Sequence, residues 1–154
     1  GHPRFSVEEF DRMRFGERLW QDKVNTLWDR GTREMHALFR DRLEARLQAA
    51  AGGRAAAGRR AILVTHAVSH AAFTVQRPPP LWEYLNAFLG SPEYGELAVR
   101  HGAALAVCGH VHHREETREG GTRFVCSCLG YSSEWGDPQD LEGEIERSLT
   151  VLEI

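Results

Sequence analysis

The sequence predicts an α/β fold, a mixed β-sheet with flanking helices. Two short apolar runs, Ala61-Ile62-Leu63-Val64-Thr65-His66 and Ala104-Leu105-Ala106-Val107-Cys108-Gly109, have the near-continuous hydrophobicity of strands buried on both faces. The segment between them carries helical spacing and is long enough for a parallel crossover. Upstream, apolar residues recur three and four positions apart, at Trp20, Val24, Leu27 and Trp28 and again at Met35, Leu38, Phe39, Leu43 and Leu47, as on one face of a helix.

In chain order, Ser6-Val7-Glu8-Glu9 has the capping-box pattern of a helix start. Gly31 divides the following stripe into two helices, and the small-residue run Ala51 to Gly58 closes the second. The strand to His66 leads into a loop ending in Pro78-Pro79-Pro80, which neither a helix nor a central strand can continue. Leu81 to Leu89 is predicted helical. Ser91 and Pro92 suit the start of another helix through Val99, which Gly102 ends. After the strand to Gly109, Glu115 to Gly121 reads as a polar turn. Thr122 to Cys128 reads as a third strand, antiparallel to a neighbour across Gly120-Gly121. Leu129 to Asp140 reads as a loop, and the alternation in Ser148 to Ile154 as a last strand.

At 154 residues the chain suits one domain, spanning 1–154, with 1–59 mainly helical and 60–154 strand-rich. Its hydrophobic content of 42% and charged content of 27% are those of a soluble globular protein. A net charge of -3 argues against broad affinity for nucleic acid or anionic membrane. No run reaches transmembrane length and no leader is expected. Three cysteines, Cys108, Cys126 and Cys128, without disulfide-like spacing point to reduced thiols and a cytoplasmic location. They read as small core residues, with Cys126 and Cys128 facing the same way.

The functional signal is histidine at strand ends. The first strand ends on His66. The second ends at Gly109, where the chain can turn sharply, and is followed by His110 and His112. In an extended segment that spacing points both imidazoles to one side, a natural start for a divalent-metal site. His113 should point away, and His101 and His36 suit structural positions. His110-x-His112-x-x-x-Glu116 also matches the core of the cupin metal motif. Ala104 and Arg123 stand where that family has glycines, and the chain is too helical for a jelly roll.

Gly109-His110-Val111-His112 after one hydrophobic strand, with Val64-Thr65-His66 ending another, resembles the calcineurin-like metallophosphoesterases. Asn86-Ala87-Phe88-Leu89-Gly90-Ser91 and Leu129-Gly130-Tyr131-x-x-Glu134-Trp135 are similar to stretches of bacterial members. The resemblance covers nearly the whole chain, most specifically residues 61 to 136. It implies the C-terminal half of an α/β/β/α sandwich and an enzyme hydrolysing phosphomonoesters or phosphodiesters through hydroxide activated by two metal ions, Mn, Fe or Zn. His66 and His110 would ligate one ion and His112 the other, and these three would be the catalytic set. His70, in the loop after His66, is a candidate for the substrate cleft. The family's Asp-x-His, Gly-Asp-x-x-Asp and Asn-His motifs do not occur upstream of His66. The chain is therefore expected to be inactive alone, to supply the histidine half of the site, and to need a partner: its missing N-terminal half or a second copy. A phosphate-ester small molecule is the implied substrate. The alternative from another class is a non-catalytic scaffold of the same fold.

Overall fold

The computed structural model describes residues 2–57 and 59–153, and of 52–57 only the backbone. Ser6 caps helix α1 (Val7–Arg12): its hydroxyl accepts the Glu9 N–H, and the Glu9 carboxylate accepts the Ser6 N–H at 2.7 Å, the expected capping box. Beyond it the chain departs from the predicted stripe. Gly16, at φ 57, turns a two-stranded hairpin of β1 (Arg14–Phe15) and β2 (Arg18–Leu19). Only Asp22–Asn25 (α2) is helical before Gly31, and Leu27 is 97% exposed. The spacing there is helical, but Val24 and Leu27 stay in water while Trp20 and Trp28 pack on Phe88 and Phe39. Helix α3 runs Thr32–Ala57, through the glycines expected to end it.

The main sheet has the order β3-β4-β6-β5. Strand β3 (Ile62–Val64) pairs parallel with β4 (Leu105–Cys108), as the crossover predicts. Strand β4 pairs parallel with β6 (Thr122–Ser127). The antiparallel neighbour of β6 is β5 (Arg114–Glu119), most of which reads from sequence as a turn. Gly120 and Gly121, at φ 53 and 85, make the two-residue hairpin joining them. Helices α4 (Leu81–Leu85) and α5 (Glu93–Arg100) fill the crossover. The last strand expected from Ser148 is not formed. Helix α6 (Leu141–Ser148), capped by the Asp140 carboxylate on the Gly143 N–H, ends where that strand was expected to begin, and residues 149–153 pair with no strand. Ile154 lies outside the described residues.

One face of the sheet forms the core, where Leu63, Ala106, Phe124 and Cys126 meet Val68, Phe73, Leu89 and Ala98. On the other face Ile62 and Val64 are 48% and 71% exposed, and β3 is an edge strand. Helix α5 lies low over the core because Gly95 has no side chain: a Cβ there would sit 2.1 Å from the Ser69 carbonyl oxygen. No helix among the described residues is long and apolar enough to cross a membrane.

Gly95→Ala therefore separates propensity from packing. Alanine should add up to about 1 kcal/mol as a helix former. Lifting α5 off Ser69 should cost about 1–3 kcal/mol. The expected outcome in urea melts is net destabilisation, where an unpacked helix would show a gain.

Candidate functional site

The parallel ladder continues past the named strands. The Thr65 N–H donates to the Val107 carbonyl at 2.9 Å, and the Gly109 N–H to the His66 carbonyl at 3.1 Å. His66 and Gly109 thus lie level at the C-terminal ends of adjacent strands. The Val111 N–H then donates back to the Gly109 carbonyl at 2.9 Å, with His110 between them at φ 72. That is a γ-turn of the rare left-handed kind. The sharp turn expected at Gly109 falls on His110 instead, and Gly109 itself keeps a negative φ. A bulky residue in this conformation is strained, and such strain gathers at functional sites.

The turn swings the His110 ring onto His66. Nδ1 of His110 lies 3.0 Å from Nε2 of His66, one ring donating to the other, with centroids 4.8 Å apart. His112 does not join them as the extended geometry predicts. The γ-turn rotates it away, so that its Nδ1 meets the Glu134 carboxylate at 2.8 Å and its ring stands edge-on to Tyr131. His110 and His112 still line one cavity of about 560 Å³, with Trp20, Arg77, Trp82 and Glu134.

Burial, and secondarily the His66 ring, push the His110 pKa down, with Asp22 opposing. His110 is accordingly held neutral, the form that binds metal. Glu134 is held below the usual carboxylate range, first by the Tyr131 backbone N–H at 2.8 Å and then by His112. The Cys126 and Cys128 sulfurs lie 4.0 Å apart on the same side. Their pKa values are pushed up, Cys126 by the adjoining Cys108 thiol and burial, Cys128 by burial. The Cys126 thiol faces the carbonyls of Val111 and His113 at 3.7 and 3.6 Å, and braces the histidine loop from below.

His70 stands apart from this cavity. Its Nδ1 accepts the Ala72 N–H at 3.1 Å, capping a 3₁₀ turn. Its Nε2 lies 3.0 Å from Glu119, and its ring packs on Phe124. Glu119 pairs with Thr122 at the start of β6, the end of the sheet away from His66 and His110. The expectation that His70 lines the cleft is corrected: it is a helix-capping and core-edge residue. His36 bonds the Tyr94 hydroxyl at 3.1 Å and faces the Glu93 carboxylate at 3.4 Å.

Three further contributors, Trp20, Asp22 and Glu134, are not among the residues expected at the site. Trp20 meets the His110 ring edge-on at 6.0 Å, and its Nε1–H donates to Asp22 at 3.0 Å. Both come from the hairpin side of the chain, remote in sequence. Glu134 is prefigured only by the Tyr131-x-x-Glu134 spacing that lets it accept the Tyr131 N–H.

Two nitrogens bound to one ion at about 2.1 Å, roughly at right angles, lie about 3 Å apart. The His66–His110 nitrogens have that spacing, and an ion there would have to replace the proton of their hydrogen bond. Among the described residues no three His, Cys, Asp or Glu side chains are grouped to hold a metal. No protein-family model, curated protein or solved structure matches the chain.

Glu134→Gln should free His112. A carboxylate whose pKa is depressed on folding contributes stability above its unfolded pKa and loses it as pH falls through the folded value. Wild type should therefore melt above the variant at pH 7, the difference closing as pH falls below the ordinary glutamate range. A difference constant with pH would mean the ionised carboxylate contributes nothing.

Proposed function

We propose that this chain is the histidine half of a metal-dependent phosphoesterase of the calcineurin-like kind, acting on phosphomonoesters or phosphodiesters. The observation that carries the reading is the His66–His110 pair, 3.0 Å apart at the C-terminal ends of adjacent parallel strands, with His110 strained into place. In this reading His66 and His110 hold one divalent ion, Mn, Fe or Zn, and His112 holds a second, with Glu134 fixing its ring. When bound, such ions supply Lewis acidity toward the phosphoryl oxygens and an activated water. Arg77 lines the same cavity and offers a guanidinium to a phosphate oxygen. The mixed sheet would be one layer of the α/β/β/α sandwich, the acidic ligands coming from a partner segment. Three free cysteines support a reducing compartment such as the cytoplasm.

The chain alone should hydrolyse bis(p-nitrophenyl) phosphate negligibly with added Mn²⁺, because two imidazoles leave the shell mostly to water. Supplied with a partner segment that carries the missing acidic motifs, it should turn over with Mn²⁺ and lose at least about 100-fold in His110→Ala. A readout independent of turnover is nuclear magnetic resonance of the chain by itself. Substoichiometric Mn²⁺ should broaden the His66 and His110 ring signals before those of His36, His70 and His101. Uniform broadening would remove the metal reading.

The scaffold reading draws on a different observation, the open edge of β3 with Ile62 and Val64 in water. Both readings require a covering surface, either an N-terminal half or a second copy. Light scattering of the isolated chain should show association that Val64→Lys reduces. A monomer at all concentrations would mean that the edge tolerates water.

A further inference from the structure

A second cleft opens beside the histidines, on the far side of Trp20. Its volume is about 390 Å³, within the roughly 300–1,000 Å³ of small-molecule sites. Its inner wall is Trp20 stacked on Phe88, centroids 5.5 Å apart and planes 28° from parallel. Its outer wall is Trp28 edge-on to Phe39, centroids 6.0 Å apart and planes 72° from parallel. Those two outer rings are 46% and 41% exposed, and the core does not account for them. Between the walls lie polar groups: His36 and Tyr94, bonded to each other at 3.1 Å, and Asp22.

Trp20 joins the two spaces. Its ring edges onto His110 and also lines both cavities, and Ala67, directly after His66, lines the second cleft. A molecule spanning them would set one end at His66 and His110 and the other between aromatic walls. Aromatic walls, one stacked and one edge-on, favour a planar π-system, which can meet rings face to face or edge to face, over an alkyl chain. The polar groups on the cleft floor favour a ring with hydrogen-bonding edges over a plain phenyl.

We propose that the cleft bounded by Trp20, Phe88, Trp28 and Phe39 binds a nucleobase, so that the phosphate ester placed at the histidines is a nucleotide. Naming the ester rests on the phosphoesterase reading; the base cleft itself does not, and is tested without phosphate. The probes for calorimetry on the whole chain are adenosine, adenosine 5′-monophosphate, ribose 5-phosphate and p-nitrophenol. Adenosine and its monophosphate should bind saturably, and ribose 5-phosphate should not. Trp28→Leu and Phe39→Leu, both at half-exposed positions that spare the core, should each weaken adenosine by about tenfold. The proposal is overturned if adenosine fails to bind folded protein at millimolar concentration, if p-nitrophenol binds and adenosine does not, or if both wall variants bind as wild type does. Adenosine binding together with absent hydrolysis by the partnered chain would remove the phosphoesterase reading and leave the base cleft standing.

Discussion

The parallel register of β3 on β4 is the constraint on which the site depends. Leu63 pairs with Ala106, and both are buried on the core face, while Ile62 and Val64 take the opposite face. Because side chains alternate strictly along a strand, a slip of one residue would exchange those faces and expose Leu63. The core therefore fixes the register, and the register sets His66 level with Gly109. Hydrophobic packing several residues away from the histidines decides where their imidazoles meet.

The meeting also requires a turn that the backbone resists. A non-glycine residue held at positive φ costs on the order of 1–3 kcal/mol. The surroundings hold His110 there from three sides. Val111 is buried, 3% exposed, and anchors the chain directly after the turn. The Cys126 thiol faces two carbonyls of the loop. Trp20 closes against the ring from the hairpin side. Cys126 thus has a use beyond filling space, one that does not require its ionisation.

Legibility in the sequence followed the range of the interactions. The capping box at Ser6 and the apolar strands ending near His66 and Gly109 depend on neighbours along the chain, and they were readable. Strand β5 was not, because Arg114-Glu115-Glu116-Thr117-Arg118-Glu119 has no apolar face. It is held by the ladder to β6 and by ion pairs, Glu116 bidentate to Arg123 at 2.6 and 2.7 Å. Helix α6 was hidden for a related reason. Its core-facing residue is Glu144, buried between Arg114 and Arg147, and a charge on the inner face defeats a hydrophobic pattern. At the site, His66 and His110 were legible as strand-end residues. The separation of His112 was not, since a γ-turn on a histidine has no sequence signature.

Trp20 and Asp22 reach the site through an aromatic cluster rather than through the sheet. The Tyr84 hydroxyl donates to the Glu9 carbonyl at 2.6 Å and accepts the Arg14 N–H at 3.0 Å, tying α1 and β1 to α4. Its ring is flanked by Phe5, Phe10, Phe15 and Phe88. Tyr84 is 1% exposed, so both of its hydrogen bonds are sheltered from water and hard to exchange. Phe88 then carries the connection onward by stacking on Trp20. The N-terminal segment is thereby fastened at one buried phenol and delivers an indole to His110, which makes Tyr84 a determinant of site geometry although it lines neither cavity.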